Sequence, residues 1–410
     1  MELNVSRVKY ACYITNVIMS AVATLSPILF VTFHEKYGIS YSLLGLLVLI
    51  NFCTQLGIDL IFSFFSHKFN IAKTVKTIPL IAMAGMILYA LAPVLFPYAV
   101  YVGLVAGTVI FSAASGLGEV LISPTIAALP LADSDREMSR LHSVYAWGVV
   151  GVSLFSTLYL LCFGSDAWQG LPFLFSLIPL LSSILFFGAA LPPMETPEKA
   201  SGAFRLLKSK GVWCSFFAIF LGGASECTMS QWASCYLEQA MGIPKIWGDI
   251  FGVALFAVFL GLGRSLYGKF GKNIEKVLVL SCIGSAVCYL LAALSPYPVL
   301  GLLACAATGF TTAMLWPGNL IVASDRFSSG GVFIYAMMAA GGDLGASVAP
   351  QLVGVVTDFA SESSLFSALA SQGALSSEQF GMKLGILVGT LFPLVGIIFH
   401  FYLYRSRKNS

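Results

Sequence analysis

Hydrophobic residues in this chain form long unbroken runs, and short polar segments separate one run from the next. A helix that crosses a membrane needs about 20 apolar residues, whereas a membrane strand needs about ten with alternating polarity. Backbone groups in lipid must find hydrogen-bond partners within the segment, so runs of this length predict helices. We predict twelve of them, near residues 8–34, 41–66, 76–95, 98–129, 140–163, 171–190, 211–240, 247–268, 276–294, 298–324, 329–358 and 379–404.

The composition supports lipid as the main surroundings of this surface. Hydrophobic residues make up 58% of the chain, charged residues only 10%, and the mean hydropathy is +0.88. A soluble domain has about 25% charged residues. The sequence therefore predicts an all-α integral membrane protein. We expect it to contact the lipid bilayer and to bind no nucleic acid.

The placement of basic residues tests the twelve predicted helices and orients them. If both termini are cytoplasmic, 19 of the 22 Lys and Arg residues fall inside, and only Lys36, Lys245 and Lys383 fall outside. Cytoplasmic loops carry such an excess of positive charge in membrane proteins. We therefore expect a multi-pass protein of the cell membrane with both termini in the cytoplasm.

A polar segment at 191–210 divides the chain into two halves of six helices. This segment predicts a cytoplasmic linker between an N-terminal bundle, 1–190, and a C-terminal bundle, 211–410. The halves are faintly alike: KYGISYSLLGLLVLI follows the first helix, and AMGIPKIWGDIFGVAL follows the seventh. A parallel duplication with pseudo-two-fold symmetry places a solute site between the bundles.

Several stretches resemble the major facilitator superfamily, and within it the branch of fucose–proton symporters and related bacterial sugar carriers. They are SGLGEVLISPTIAALP, RLHSVYAWGVVGV, GGASECTMSQWASCYLE, GRSLYGKFG and GGVFIYAMMAAGGDLGASVAPQLVG. The resemblance implies alternating access, a cavity lined by helices one, four, seven and ten, and a location in the bacterial inner membrane. It also implies a proton gradient as the driving force, with Glu119 in the stretch that carries a proton-linked acid.

The loop between helices two and three departs from the superfamily's pattern. SFFSHKFNIAK has His67 where the pattern has Asp, although Lys68 and Lys73 remain. We predict that Asp59, one or two turns earlier, replaces the missing acid. Together with Lys68, Lys73 and Arg264, which ends helix eight, it forms the set of predicted gating residues.

Of the acidic residues within predicted spans, Glu119, Glu226 and Asp343 lie well away from the span ends. There a charge costs about 2.5–3.5 kcal/mol and faces a cavity or a partner. Glu119 shares a helical face with Ser112 and Ser115, and it either couples protons or solute or makes a structural hydrogen bond. Glu226 is a candidate for both solute binding and proton coupling. Asp343 follows two glycines and serves either coupling or structural pairing.

Amides and indoles on the cavity helices suit a hydroxylated solute, because an amide bonds hydroxyl groups and a ring packs on C–H surfaces. The candidates are Asn16, Gln231, Trp232, Trp316 and Asn319. The alternative for the amides is hydrogen bonding between helices, and for the indoles packing or anchoring at the membrane interface. His142 is either a proton relay or a histidine satisfied at the cytoplasmic side.

No phosphate-binding loop, dinucleotide motif, metal-ligand spacing or nucleophile–base arrangement is evident, so we expect neither an enzyme nor a cofactor or metal. The predicted function is a monomeric, proton-coupled uptake carrier for a small neutral solute, a sugar or polyol. Anionic solutes are less favoured because no Arg or Lys lies deep in a predicted span. The alternatives are an exporter of amphipathic compounds or drugs, and a membrane sensor that transports nothing.

Overall fold

A computed structural model describes residues 4–65, 68–130, 134–192, 208–327 and 331–408, and helices dominate these ranges. The N-terminal half contains α1 (Val5–Ile28), α2 (Phe30–Tyr37), α3 (Tyr41–Phe65), α4 (Ile71–Leu95), α5 (Val100–Ala127), α6 (Ser134–Phe163), α7 (Gly170–Phe175) and α8 (Leu177–Phe186). The C-terminal half contains α9 (Lys210–Gln239), α10 (Leu255–Phe270), α11 (Ile274–Leu294), α12 (Pro298–Thr312), α13 (Pro317–Arg326), α14 (Gly331–Glu362), α15 (Ser364–Gln372), α16 (Ser377–Gly389) and α17 (Leu391–Lys408).

The described helices account for the twelve predicted spans. Nine are long and apolar enough to cross a membrane, and a tenth, Met337–Glu362, bends by 83° into α15. Two shorter apolar helices, Trp147–Phe163 and Gly170–Phe186, occupy the predicted positions of spans five and six. The prediction of an all-α, twelve-helix membrane fold is confirmed.

Packing divides the chain into two compact units. Unit 1 consists of Met1–Thr32 and Ile50–Ala200, and unit 2 consists of Phe33–Leu49 and Ser201–Ser410. In unit 1, α4 packs along α5, and α1 packs against α6 and α8. In unit 2, α9 is central and packs against α14, α17 and α12.

The segment Phe33–Leu49 belongs to unit 2, although the sequence-based division placed it within the bundle 1–190. The predicted linker falls almost entirely on residues 193–207, which lie outside the described residues.

Several predicted helices are interrupted where proline disturbs the backbone ladder. The first ends at Ile28, one residue after Pro27, and α2 restarts at Phe30. The tenth span breaks between Thr312 and Pro317, because proline brings no N–H to the ladder. The eighth span instead begins with a π-helical stretch, Gly248–Ala254, that runs into α10.

Glycines set the closest helix crossings. A Cβ at Gly107 of α5 would lie 2.8 Å from the Cβ of Tyr89 on α4. In unit 2, a Cβ at Gly345 of α14 would overlap the carbonyl oxygen of Phe220 on α9. Without side chains at these positions the backbones approach closely, which is how membrane helices gain packing energy in lipid.

Candidate functional site

Two acidic residues meet in unit 1. Glu119 is the twentieth of 28 residues of α5, and one of its carboxylate oxygens lies within 4.8 Å of one of those of Asp59 on α3. The helices touch one turn earlier, where a Cβ at Gly116 would lie 3.0 Å from the Cα of Gln55. Because Asp59 follows Gln55 by four residues and Glu119 follows Gly116 by three, the next turn brings the two acids together.

This acid pair has the chemistry of a proton site. Two ionised carboxylates at such a distance repel each other, and the repulsion is relieved when one of them carries a proton. Among the described residues Glu119 accepts no hydrogen bond, and its side chain is accessible to solvent. Asp59, predicted as a gating residue, therefore lies beside the residue predicted to couple protons.

Ser112, two turns before Glu119 on α5, takes part in hydrogen bonds between α3 and α5. Ser112 donates a hydrogen bond to Asn51 Oδ1 at 2.6 Å, and Gln55 donates to the same oxygen at 3.2 Å. All three side chains are buried. They tie α3 to α5 and thereby hold the turn that positions Glu119.

Asn16 lies in unit 1 with 7% of its surface exposed. Its Nδ2 donates to the carbonyl oxygen of Leu141 on α6, at 2.5 Å, and Ser20 donates to the carbonyl of Tyr145 at 2.8 Å. These bonds join α1 to α6. The predicted ligand role of Asn16 stays a prediction.

Neither predicted gating lysine near the loop between α3 and α4 forms an ion pair among the described residues. Lys68 and Lys73 are exposed, and the Lys68 ammonium lies 4.9 Å from the centre of the Phe65 ring. The side chain of His142, the candidate relay, lies outside the described residues.

An ion pair lies in the interior of unit 2. Glu226 is the seventeenth of 30 residues of α9, and Nη2 of Arg264 on α10 lies 3.3 Å and 3.5 Å from its two carboxylate oxygens. Arg264 Nε also donates to the carbonyl oxygen of Ala313 at 3.1 Å. The expectation that no basic side chain reaches deep into a span is therefore wrong for Arg264, because its long side chain carries the charge from the end of the span to the middle of α9.

The bond to Ala313 follows from the break between α12 and α13. In a continuous helix this carbonyl would accept from the N–H of residue 317, but Pro317 has none. The Arg264 guanidinium supplies the missing donor. The Ala313 carbonyl, which Pro317 leaves without a backbone donor, therefore holds the Arg264 guanidinium in position.

The ring of Trp316 packs between α9 and α14, against a buried apolar cluster of unit 2. A Cβ at Gly223 would meet the ring at 3.1 Å, and one at Gly342 would meet it at 2.6 Å. Gly223 precedes Glu226 by three residues, and Gly342 precedes the buried Asp343. Glycine at both positions leaves room for the indole to approach the two helices closely.

Three other predicted ligands of unit 2 are buried. Trp232 is fully buried, and its Nε1 donates to the carbonyl oxygen of Pro350 at 2.9 Å. Gln231 is 7% exposed. Asn319 is 1% exposed, and its amide bonds the carbonyl of Leu315 at 2.7 Å and His400 Nε2 at 3.0 Å. Their solute-binding roles stay predictions.

A polar cluster that the sequence reasoning missed surrounds the start of α3. Asp358 accepts hydrogen bonds from Tyr41 and Ser42, and Glu378 accepts one from Tyr41 and lies 3.3 Å from His34 Nε2. All five residues belong to unit 2. Asp358 and Glu378 lie at the ends of predicted spans, where the pattern indicates solvated residues.

Comparison with known proteins places this arrangement in a family. The family model described as "Major Facilitator Superfamily" matches residues 11–350. The chain belongs to the major facilitator superfamily. The prediction at superfamily level is confirmed, whereas the fucose–proton symporter branch stays a prediction.

Solved structures of superfamily-type transporters share the fold at low sequence identity. A bacterial homologue of the human lysosomal transporter Spinster, in an inward-facing and occupied conformation, is 13% identical, with a TM-score of 0.73 over 98% of this chain and 97% of its own. A D-xylose–proton symporter is 16% identical, with a TM-score of 0.71 over 94% and 96%. PepTSo, a transporter of the POT family, is 13% identical, with a TM-score of 0.75 over 100% and 99%.

No curated protein matches the sequence. At these identities the structural likenesses establish the fold alone. A non-enzymatic transporter is what the family and the fold indicate. As a superfamily member, the protein acts on a small-molecule solute in a lipid bilayer.

Proposed function

We propose that the protein is a secondary transporter that takes up a small hydroxylated solute, a sugar or a related compound, together with protons. The driving force is the proton gradient across the cell membrane, and both termini lie in the cytoplasm. Uptake proceeds by alternating access, as the family resemblance implies.

The observation that carries this proposal is the pair of carboxylates in unit 1, Asp59 and Glu119, which each have an oxygen within 4.8 Å of the other's. Like charges this close favour a shared proton, and a second proton neutralises the pair completely. The two residues lie in spans where uncompensated charge is costly. A state change that alters their surroundings would therefore bind or release a proton.

The second support is the mixed chemistry of unit 2. Glu226 offers carboxylate oxygens, Arg264 offers N–H donors, and Trp316 offers a flat apolar ring. Hydroxyl groups of a solute can form hydrogen bonds with Glu226 and Arg264, and the C–H face of a ring-shaped solute can pack on the indole of Trp316. Small-molecule sites commonly combine apolar walls with a few placed polar groups.

Transport by the purified chain in proteoliposomes tests the proposal. With an inward proton gradient, wild-type vesicles should accumulate a hydroxylated solute and take up protons with it. Glu119→Gln should lose accumulation but keep exchange of labelled for unlabelled solute, because exchange needs no net proton movement. Glu362→Gln, which changes an exposed acid, is the matched control.

Two outcomes would contradict the proposal. One is accumulation by Glu119→Gln that equals the wild type, which would remove Glu119 from coupling. The other is efflux of amphipathic dyes in place of solute uptake, which would favour the exporter.

A further inference from the structure

The Glu226–Arg264 pair differs from the other Arg–Glu pair of unit 2. Arg326 lies 2.7 Å from Glu275 and donates to the carbonyl of Leu403 at 2.5 Å, and the two side chains are 23% and 4% exposed. In the Glu226–Arg264 pair the N–O distances are 3.3 and 3.5 Å, and the side chains are 14% and 40% exposed. Charge-assisted bonds are normally about 2.7–2.9 Å long. The Arg326–Glu275 pair is a short, mostly buried, structural ion pair, whereas the Arg264–Glu226 pair is longer and more exposed.

The guanidinium of Arg264 retains unused donors. Nε bonds Ala313 and Nη2 faces Glu226, while Nη1 contacts no acceptor among the described residues. Arginine presents five N–H donors in a planar fork that matches the two oxygens of a carboxylate. One edge of that fork is therefore available to a ligand.

Arg264 does not lie on the lipid-facing side of α10. Leu262 and Leu266, each 47% exposed, are the apolar surface of this helix. Each lies two residues from Arg264, which corresponds to about 200° around a helix. Gly263 packs on Ala313, in the break between α12 and α13, since a Cβ there would lie 2.5 Å from the Ala313 Cβ. The guanidinium, with 40% of its side chain exposed, therefore lies away from the apolar face of α10.

The charges of the pair set a condition on any anion that binds. Arg264 and an ionised Glu226 are neutral together. A carboxylate that binds Arg264 while Glu226 is ionised leaves one uncompensated negative charge in a poorly solvated site, which is costly. A proton on Glu226 restores neutrality, so anion binding and proton binding favour each other by linkage. A neutral solute creates no such requirement.

We infer that the solute is a small hydroxylated carboxylate, of the sugar-acid type, that binds the free edge of Arg264 while Glu226 carries a co-transported proton in addition to that of the Asp59–Glu119 pair. The inference rests on the proposed function and specifies the charge of its solute. The proton arrives from the outer solution, binds a Glu226 oxygen as the solute carboxylate replaces it beside Arg264, and leaves inward when the solute leaves. The Trp316 ring packs against the carbon skeleton.

The test compares acidic and neutral probes in proteoliposomes of the full chain: D-gluconate, D-glucuronate, D-glucose and D-mannitol. Wild-type vesicles should accumulate the two acids under a proton gradient and prefer them over the neutral probes. Apparent affinity for the acids should rise as the pH falls, because the site takes up a proton with the anion.

Variants separate the two partners of the pair. Arg264→Gln should weaken binding of the acids by about 10- to 100-fold, the loss expected for a hydrogen-bonded charge. Glu226→Gln should bind the acids with a weaker dependence on pH and accumulate them to a lower level than the wild type, because one of the two proton sites is lost. Lys269→Gln removes the same charge from an exposed position five residues further along α10 and should match the wild type. Thermal unfolding establishes whether each variant is folded. If Arg264→Gln does not fold, Arg264→Lys provides a milder change at the same position.

The outcomes distinguish this inference from the proposed function. Proton-driven accumulation of D-glucose or D-mannitol but of neither acid overturns the inference and leaves the proposed function standing. Accumulation of none of the four probes overturns both. Acid transport that folded Arg264→Gln retains at wild-type affinity overturns the assignment of the binding residue.

Discussion

Asp358 accepts two hydrogen bonds from Ser42, one from its backbone N–H at 2.6 Å and one from its hydroxyl at 2.5 Å. Its other carboxylate oxygen accepts from the N–H of Tyr41 at 3.1 Å. These N–H groups belong to the first turn of α3, which has no acceptors of its own within the helix. A side chain from α14 thus caps a helix more than 300 residues earlier in the chain.

Replacing this cap should loosen the start of α3. Asp358→Asn keeps the size of the side chain but removes its charge, which at a helix N-terminus is worth about 1 kcal/mol. Amide hydrogen exchange in the segment around Tyr41 should accelerate about five-fold, because a loss of about 1 kcal/mol raises the population of the open state by about that factor. Glu362→Gln, one turn further along α14 and exposed, should leave exchange unchanged. Equal exchange in both variants would show that the cap contributes nothing.

The His34–Glu378 contact should depend on pH. The hydrogen bond that His34 donates to Glu378 raises the pKa of His34 above its ordinary value of 6.5, although partial burial opposes the shift. Asp358 also raises this pKa, and Tyr41 stacks on the imidazole at 4.2 Å. A group whose pKa is raised by folding stabilises the folded state when protonated, so the contribution is complete below about pH 6.5 and disappears as the pH rises through the raised pKa.

Thermal unfolding between about pH 5.5 and pH 8.5 measures this dependence across the histidine range. His34→Gln should unfold at a lower temperature than the wild type at the acidic end, and the difference should vanish at the alkaline end. A difference that is constant across the range would mean that the contact acts without its charge.

The crossing of α9 and α14 should not tolerate a methyl group at Gly345. The added Cβ would overlap the carbonyl oxygen of Phe220, and the backbone of a packed helix moves only at a cost of about 1–3 kcal/mol. Gly345→Ala should therefore unfold at a lower temperature. Gly261→Ala is the control, because no atom lies within 4 Å of its added Cβ. Similar melting of the two variants would refute the close approach.

Asn319 is bonded within unit 2, which makes its predicted ligand role testable. Its amide bonds Leu315 and His400, and all three groups lie away from solvent. Asn319→Ala leaves the His400 ring without this partner, which should destabilise the protein by about 1–3 kcal/mol. The apparent KM for solute should stay at the wild-type value. A raised KM with unchanged thermal stability would instead support contact with solute.

Hydropathy identified the spans because lipid is the solvent, and a segment of fewer than about 20 apolar residues cannot cross it. The same physics drew attention to Glu119 and Glu226, since an acid in an apolar run is costly wherever it lies. Helix breaks were harder to place. A proline, Pro317, lies at the break in the tenth span, whereas the π-helical stretch at 248–254 contains no proline.

The sequence by itself determined the fold class, the twelve spans and the acidic residues that require a partner or water. Only the tertiary structure decided what those residues meet: Glu119 meets Asp59, and Glu226 meets Arg264. The reason is physical. Partition into lipid depends on local composition, which can be read along the chain, whereas a side-chain contact depends on how two helices cross, and that is set by packing between segments far apart in sequence.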